Sequence, residues 1–266
     1  MEKVASKDGT QIAFDRLGDG PPVILVAGAL ADRSQPTMEG LAGLLAPHFT
    51  VLNYDRRGKG DSGDTPPYAV EREIEDIEAL IDEAGEPALL CGFSSGAILA
   101  LEAANRLGES KVRKLALYEP PFIVDDSRPP LPGDYVQQLN QSVAAGRRGD
   151  AVALFMQVVG VPEEFIPQMR EMPMWPDLAK AAHTLAYDGT IMGDYGSGNP
   201  LPRDRWTATT SPTLVIVGGE SPPFFHNGTQ AIVDILPNAR QCTLEGQTHD
   251  VSAQALAPML IEFFSA

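Results

Sequence analysis

Basic residues are scarce in this chain. Lysine and arginine number 20 against 36 aspartates and glutamates, giving a formal net charge of -16 and an isoelectric point near 4.6. Such a charge repels phosphate backbones and anionic lipid, so nucleic acid and membrane surfaces are not expected as partners. Cysteine is scarcer still. Cys91 and Cys242 each fall in a stretch that reads as a buried strand, and neither has metal-type spacing, so both are expected to be reduced core thiols rather than a disulfide framework. No run of about 18 apolar residues occurs. Met1-Glu2-Lys3-Val4-Ala5 lacks the apolar stretch and cleavage site of a secretory signal, and the expectation is a cytoplasmic protein. There is no phosphate-cradling glycine-rich turn and no His/Cys/Asp cluster at metal-ligand spacing, so no cofactor and no metal is expected.

What is present is an ordinary globular composition over 266 residues, 43% hydrophobic and 21% charged, suited to one domain or a domain with an insertion. Segments 3–6 and 10–17 flank Asp8-Gly9, a pairing that suits a tight hairpin. Val23-Ile24-Leu25-Val26-Ala27 is continuously apolar, as strands buried on both faces of a parallel sheet are. Helical patterns over 35–46, 68–84, 227–236 and 252–264 alternate with strand patterns over 49–54, 113–118, 213–217 and 241–244, and acidic residues of 68–84 are expected along that helix's exposed side. The alternation predicts the α/β class, with a mainly parallel sheet covered by helices on both faces.

Residues 120–212 break the alternation. Pro120-Pro121 and Pro129-Pro130 open a section with helical patterns over 135–145, 150–159, 163–171 and 176–187. The expected organisation is a core of residues 1–119 and 213–266 with residues 120–212 as a helical lid over the crevice at the carboxyl ends of the strands. Phe155, Met156, Met169, Met172, Met174 and Trp175 concentrate there, either lining that crevice or packing the lid helices together.

The chemistry centres on Leu89-Leu90-Cys91-Gly92-Phe93-Ser94-Ser95-Gly96-Ala97-Ile98-Leu99-Ala100, which reads as strand, sharp turn and helix. A serine on such a turn is pushed clear of the sheet if its neighbours lack bulk, as Gly92 and Gly96 do. A serine hydroxyl needs a base to take its proton, and neutral imidazole suits that work near pH 7. Of four histidines, His249 follows the final predicted strand and would hang from a loop level with Ser94. His48 and His183 fall on the surface or lid, and His226 lies near a helix start.

Gly92-Phe93-Ser94-Ser95-Gly96, Tyr54-Asp55-Arg56-Arg57-Gly58-Lys59-Gly60-Asp61-Ser62 and Gly246-Gln247-Thr248-His249, in this order, resemble the nucleophile elbow, the loop after the fourth strand and the histidine loop of the α/β-hydrolase superfamily. The resemblance spans nearly the whole chain. It implies Ser94 as nucleophile, His249 as base, and an oxyanion hole of backbone N–H groups from Ser95 and from the turn after the strand 23–27, at Ala29 or Leu30, with Ala29 expected. It also implies that Asp55, Arg56 and Asp61 fix their loop. The family's Gly-x-x-Asp after the strand 213–217 is here Gly218-Gly219-Glu220-Ser221, so another carboxylate is required. Glu220 and Glu119 both stand near the sheet edge. Glu119 is the expected acid because Tyr118 and Pro120 pin it on either side. Asp250 is expected to point away from His249, and Asp125 and Asp126 to be solvated hinge residues. The implied activity is a cofactor-independent serine hydrolase acting through an acyl-enzyme on a small-molecule substrate, a largely apolar carboxylic ester or lactone. A lyase or perhydrolase on the same fold, or a ligand-binding protein on this scaffold, are the alternatives.

Overall fold

Strands made wholly of apolar residues cannot show either face to water, and the computed structural model, which describes residues 1–266, puts them in the middle of its sheet. Eight strands, β1 (Glu2–Ala5), β2 (Gln11–Leu17), β3 (Pro22–Val26), β4 (Thr50–Tyr54), β5 (Ala88–Phe93), β6 (Val112–Tyr118), β7 (Thr213–Gly218) and β8 (Ala239–Leu244), lie in the order β1-β2-β4-β3-β5-β6-β7-β8. β1 and β2 pair antiparallel, and β3 to β8 run parallel. Every residue of β3, β5 and β7 is buried.

Ten α-helices complete the chain: α1 (Pro36–Leu45), α2 (Val70–Ala84), α3 (Ser95–Leu107), α4 (Tyr135–Ala144), α5 (Arg148–Val158), α6 (Ile166–Arg170), α7 (Trp175–Ala181), α8 (Leu185–Met192), α9 (Pro223–Val233) and α10 (Ala253–Ser265). Met38 and Leu41 of α1 and Leu256 and Leu260 of α10 cover one face of the sheet over Leu25, Leu89 and Ile216. Ile77 of α2, Ile98 and Leu101 of α3 and Ile232 of α9 cover the other over Ile24, Leu90 and Val215. The expected α/β class, a mainly parallel sheet with helices on both faces, is what forms.

Between β6 and β7 the chain is helical. α4, α5, α7 and α8 share a separate apolar cluster. Trp175 lies inside it, its ring 5.5 Å from the Arg170 guanidinium and against Gly149, where a Cβ would come within 3.2 Å of the indole nitrogen. The indole therefore packs the helices together.

Several local expectations need correction. The helical pattern 176–187 is two helices joined by a 3-10 turn over Ala182–Thr184, and 163–171 divides into a 3-10 turn and α6. α9 begins at Pro223 rather than at 227, because proline fits the first turn of a helix, where no N–H partner is needed. α2 does not keep all its acids outside: Glu73 and Asp76 are buried beside Ile74 and Ile77. Cys91 is buried, and burial pushes its thiol up, but Cys242 lies on the edge strand β8 and is only half-buried.

Candidate active site

The turn from β5 into α3 holds Ser94 at φ 54° and ψ -125°, a region that L-residues avoid and that costs about 1–3 kcal/mol. Close packing enforces it. A Cβ on Gly92 would lie 2.5 Å from the Ala97 Cα, and one on Gly96 would run into the carbonyl oxygens of Val26 and Ala27. The Ser94 N–H donates to the Tyr118 carbonyl at 2.9 Å, so β6 braces the turn.

The same strand supplies the carboxylate. Glu119 directly follows β6 at φ 45°, its N–H donating to the Ile216 carbonyl at 3.0 Å, and its side chain is fully buried. Oε1 accepts the Gly218 N–H at 2.7 Å, and Oε2 lies 2.7 Å from His249 Nδ1. The Tyr118 hydroxyl donates to the Thr248 carbonyl at 2.5 Å, and the Phe225 ring stacks on His249 with centroids 4.5 Å apart and planes at 14°. The imidazole is thus fixed at one edge and one face, and 42% of its side chain stays exposed. Glu220 is exposed beyond the β7 turn, its N–H donating to the Gln247 carbonyl. The structure therefore brings Glu119, not Glu220, to the histidine. The Ser221 hydroxyl is buried without a hydrogen-bond partner, close enough to Gly218 that a Cβ there would lie 2.9 Å from it.

The turn after β3 abuts the serine: a Cβ on Gly28 would lie 3.1 Å from the Ser94 Cβ. The N–H groups of Ala29 and Leu30 bond to no backbone carbonyl, and Leu30 has φ 57°. Ser95 opens α3, so its N–H is one of the four that a helix start leaves without an intrahelical partner. Ala29 and Leu30 pack against the apolar cluster of α4, α5, α7 and α8.

A sequence profile described as the alpha/beta hydrolase family matches residues 23–258. The chain belongs to the alpha/beta hydrolase family. Among solved structures, an alpha/beta hydrolase from Sphaerobacter thermophilus DSM 20745 is 53% identical, with a TM-score of 0.89 over 99% of this chain and 100% of that one. An esterase from Exiguobacterium antarcticum (20% identity, TM-score 0.73, 99% of each chain) and the enol-lactonase from Burkholderia xenovorans LB400 (21%, 0.71, 100% of each) share the fold. The uncharacterized hydrolase YraK of Bacillus subtilis is 33% identical over 116 residues, 42% of this chain and 42% of YraK. The probable oxidoreductase EphD of Mycobacterium tuberculosis is 35% identical over 114 residues, 40% of this chain and 19% of EphD. Each match covers less than half of the curated relative.

Beside these residues of this alpha/beta hydrolase lies a buried charge network, of which the sequence pointed to Asp55, Arg56 and Asp61 as loop-fixing residues but not to the buried Lys59, Glu73 and Asp188. Arg56 donates to both oxygens of Glu73 at 2.7 Å, to Asp188 Oδ1 at 2.7 Å and to the Ala27 carbonyl at 3.2 Å. Lys59 donates to the Gly28 carbonyl at 2.8 Å and faces Asp188 Oδ2 at 3.5 Å. The Ser95 hydroxyl donates to Asp188 Oδ1 at 2.8 Å. Burial by itself would raise the Asp188 carboxyl, but the Lys59 and Arg56 cations bring it below its usual value. Asp55 accepts the N–H groups of Arg33 at 2.9 Å and Asp61 at 2.8 Å, and the Arg33 guanidinium also reaches Asp55 and Asp61. Asp125 accepts from Asn227 Nδ2 at 2.7 Å and so ties the segment after β6 to α9. The available signals for the network were a lysine between two glycines at 58–60 and an aspartate inside the apolar run 185–192.

Proposed function

We propose that this chain is a cofactor-independent serine hydrolase that cleaves a small, largely apolar carboxylic ester or lactone through an acyl-enzyme, with residues 120–212 as the lid over its site. The observation that carries the reading is the buried Glu119 carboxylate 2.7 Å from His249 Nδ1, directly after the strand whose Tyr118 carbonyl braces the strained Ser94 turn. In this reading Ser94 Oγ attacks the carbonyl carbon while His249 Nε2 takes its proton. Glu119 keeps the other ring proton on Nδ1 and stabilises the imidazolium. The oxyanion receives N–H groups from Ser95 and Ala29, whose dipoles are aimed before the charge develops. His249 then returns the proton to the leaving alcohol, and water repeats the sequence to free the acid. The preference for apolar acyl groups rests on Ala29 and Leu30 packing against the helical cluster, since apolar walls repel charged substrates.

A fluorophosphonate probe followed by peptide mass analysis tests this directly. The expected result is one adduct on Ser94, lost in Ser94→Ala, together with turnover of p-nitrophenyl esters and simple lactones. A folded protein that takes no label at Ser94 refutes it.

A further inference from the structure

Lys59 is an unusual occupant of its loop. It sits between Gly58 and Gly60 and is 3% exposed, so the ammonium has given up nearly all of its water. A buried ion set of this kind is weak as a source of stability, because desolvation offsets the attraction. Its bonds point to a different role. The Gly28 carbonyl that Lys59 grips at 2.8 Å belongs to the same rigid peptide plane as the Ala29 N–H. Holding the oxygen sets the direction of the N–H, and a cation on the oxygen also polarises the amide into a better donor. The second arm ends on the other proposed donor, since Asp188 receives the Ser95 hydroxyl at 2.8 Å through the oxygen that also binds Arg56. One carboxylate on α8 is therefore linked to both sides of the hole, directly to Ser95 and through Lys59 to Gly28–Ala29.

We infer that Lys59 and Asp188 are positioning residues of the oxyanion hole, holding the Gly28–Ala29 peptide and Ser95 in fixed mutual geometry so that kcat depends on the charged form of this pair. The inference rests on the proposed role of Ala29 and Ser95.

The groups around Lys59 decide what pH does to it. Asp188 faces it from α8, Arg56 from its own loop, Glu73 from α2 and His183 from the turn preceding α8, while the Tyr68 hydroxyl donates to Glu73 and Tyr135 of α4 lies near Asp188. Burial first, and then Arg56, bring the Lys59 ammonium down to about 8, against the opposing pull of Asp188 and Glu73. Arg56, Tyr68 and Tyr135 are held above their ordinary values, whereas burial holds His183 below its own and the two cations hold Asp188 down. Among these shifted groups the charge change just above neutrality belongs to Lys59. Activity is then highest with the ammonium present and declines as pH rises through about 8.

The test measures the rate of fluorophosphonate labelling of Ser94, and kcat and KM on p-nitrophenyl acetate, from about pH 6.5 to about pH 10 for wild type, Lys59→Met and Asp188→Asn, with thermal melting of each. Deleting a whole oxyanion donor costs about 10²–10³ in kcat; loosening one is expected to cost about tenfold. Lys59→Met should lose that factor in kcat and in labelling rate below pH 8, keep KM within about twofold, and lack the alkaline decline. Asp188→Asn should move the decline to lower pH, because removing the carboxylate disfavours the ammonium further. A Lys59→Met protein with wild-type kcat and an unchanged alkaline limb overturns the inference, as does a variant that only melts lower. If Lys59→Met does not fold, an unshifted limb in Asp188→Asn overturns it, and if neither variant folds, a wild type without a decline near pH 8 does. Failure of the proposed function is distinct: wild-type Ser94 would then take no label, and this inference would fall with it.

Discussion

Replacing Glu119 by glutamine changes one atom in a fully buried position and should cripple turnover. Glu119 Oε1 accepts from Gly218 and Oε2 meets His249 Nδ1, both at 2.7 Å. A glutamine that keeps its oxygen toward the Gly218 N–H turns its NH2 toward Nδ1, which must then accept, so the ring proton moves to Nε2, the nitrogen that should take the proton from Ser94. The opposite amide orientation restores the tautomer but sets the NH2 against the Gly218 N–H, two donors facing each other in a buried site. Either way the negative charge opposite a developing imidazolium is gone. With charge centres about 4 Å apart and an effective dielectric of about 20, that attraction is about 4 kcal/mol, or about 10³ in rate at about 1.4 kcal/mol per tenfold. The loss should appear in kcat on p-nitrophenyl acetate, with KM nearly unchanged and circular dichroism retained. Glu220→Gln is the control, since its carboxylate is exposed, and should stay within about twofold of wild type. A Glu119→Gln enzyme within about tenfold of wild type, or a crippled Glu220→Gln, refutes the reasoning.

Ser94→Ala should abolish ester turnover and probe labelling while leaving the melting temperature within about 2 °C, and Ser94→Gly should melt higher because glycine relieves about 1–3 kcal/mol of backbone strain against an entropic cost of about 0.5–1; calorimetry that ranks Ser94→Gly below Ser94→Ala contradicts this. Glu73→Gln leaves the buried Arg56 guanidinium without its bidentate carboxylate and should cost about 3–5 kcal/mol in urea unfolding; a loss under about 1 kcal/mol would show that Asp188 alone suffices. Because Lys59 is held down to about 8 in the folded protein and near 10.4 when unfolded, the unfolded chain binds the extra proton between those values. Stability relative to Lys59→Met should therefore rise by about 2 kcal/mol as pH goes from about 8 to about 10, while catalysis declines; a flat difference counts against the depressed value.

Some of this was readable without coordinates. The apolar run 23–27 and the one that starts at Leu89 suit the interior of a parallel sheet, and the strands they form, β3 and β5, are buried throughout. At the margin the same logic weakens: β8 has a comparable strand pattern but lies at the sheet edge, so Cys242 keeps part of its exposure. One helix start was misplaced, the pattern expected from 227 beginning at Pro223. In the site, Ser94 and His249 came from motifs of adjacent residues. The choice between Glu119 and Glu220 came from backbone rigidity, and the coordinates set only Glu119 against His249. The charge network had no such local signature. Lys59 and Asp188 are 129 positions apart, and Glu73 looks in sequence like any solvated acid on an amphipathic helix, because what buries it is Arg56 arriving from another loop.

Asp188 also bears on how this scaffold can be recombined. A helical segment resting on a sheet through apolar contacts alone could be swapped among relatives as an interchangeable cover, bringing a new substrate preference with it. Here the segment also brings a countercharge. A chimera that replaces residues 120–212 with a segment lacking a carboxylate at this place would leave Arg56 with one acid and Lys59 with none, so donor and acceptor chains should be matched first on that single acid and only afterwards on the shape of the crevice.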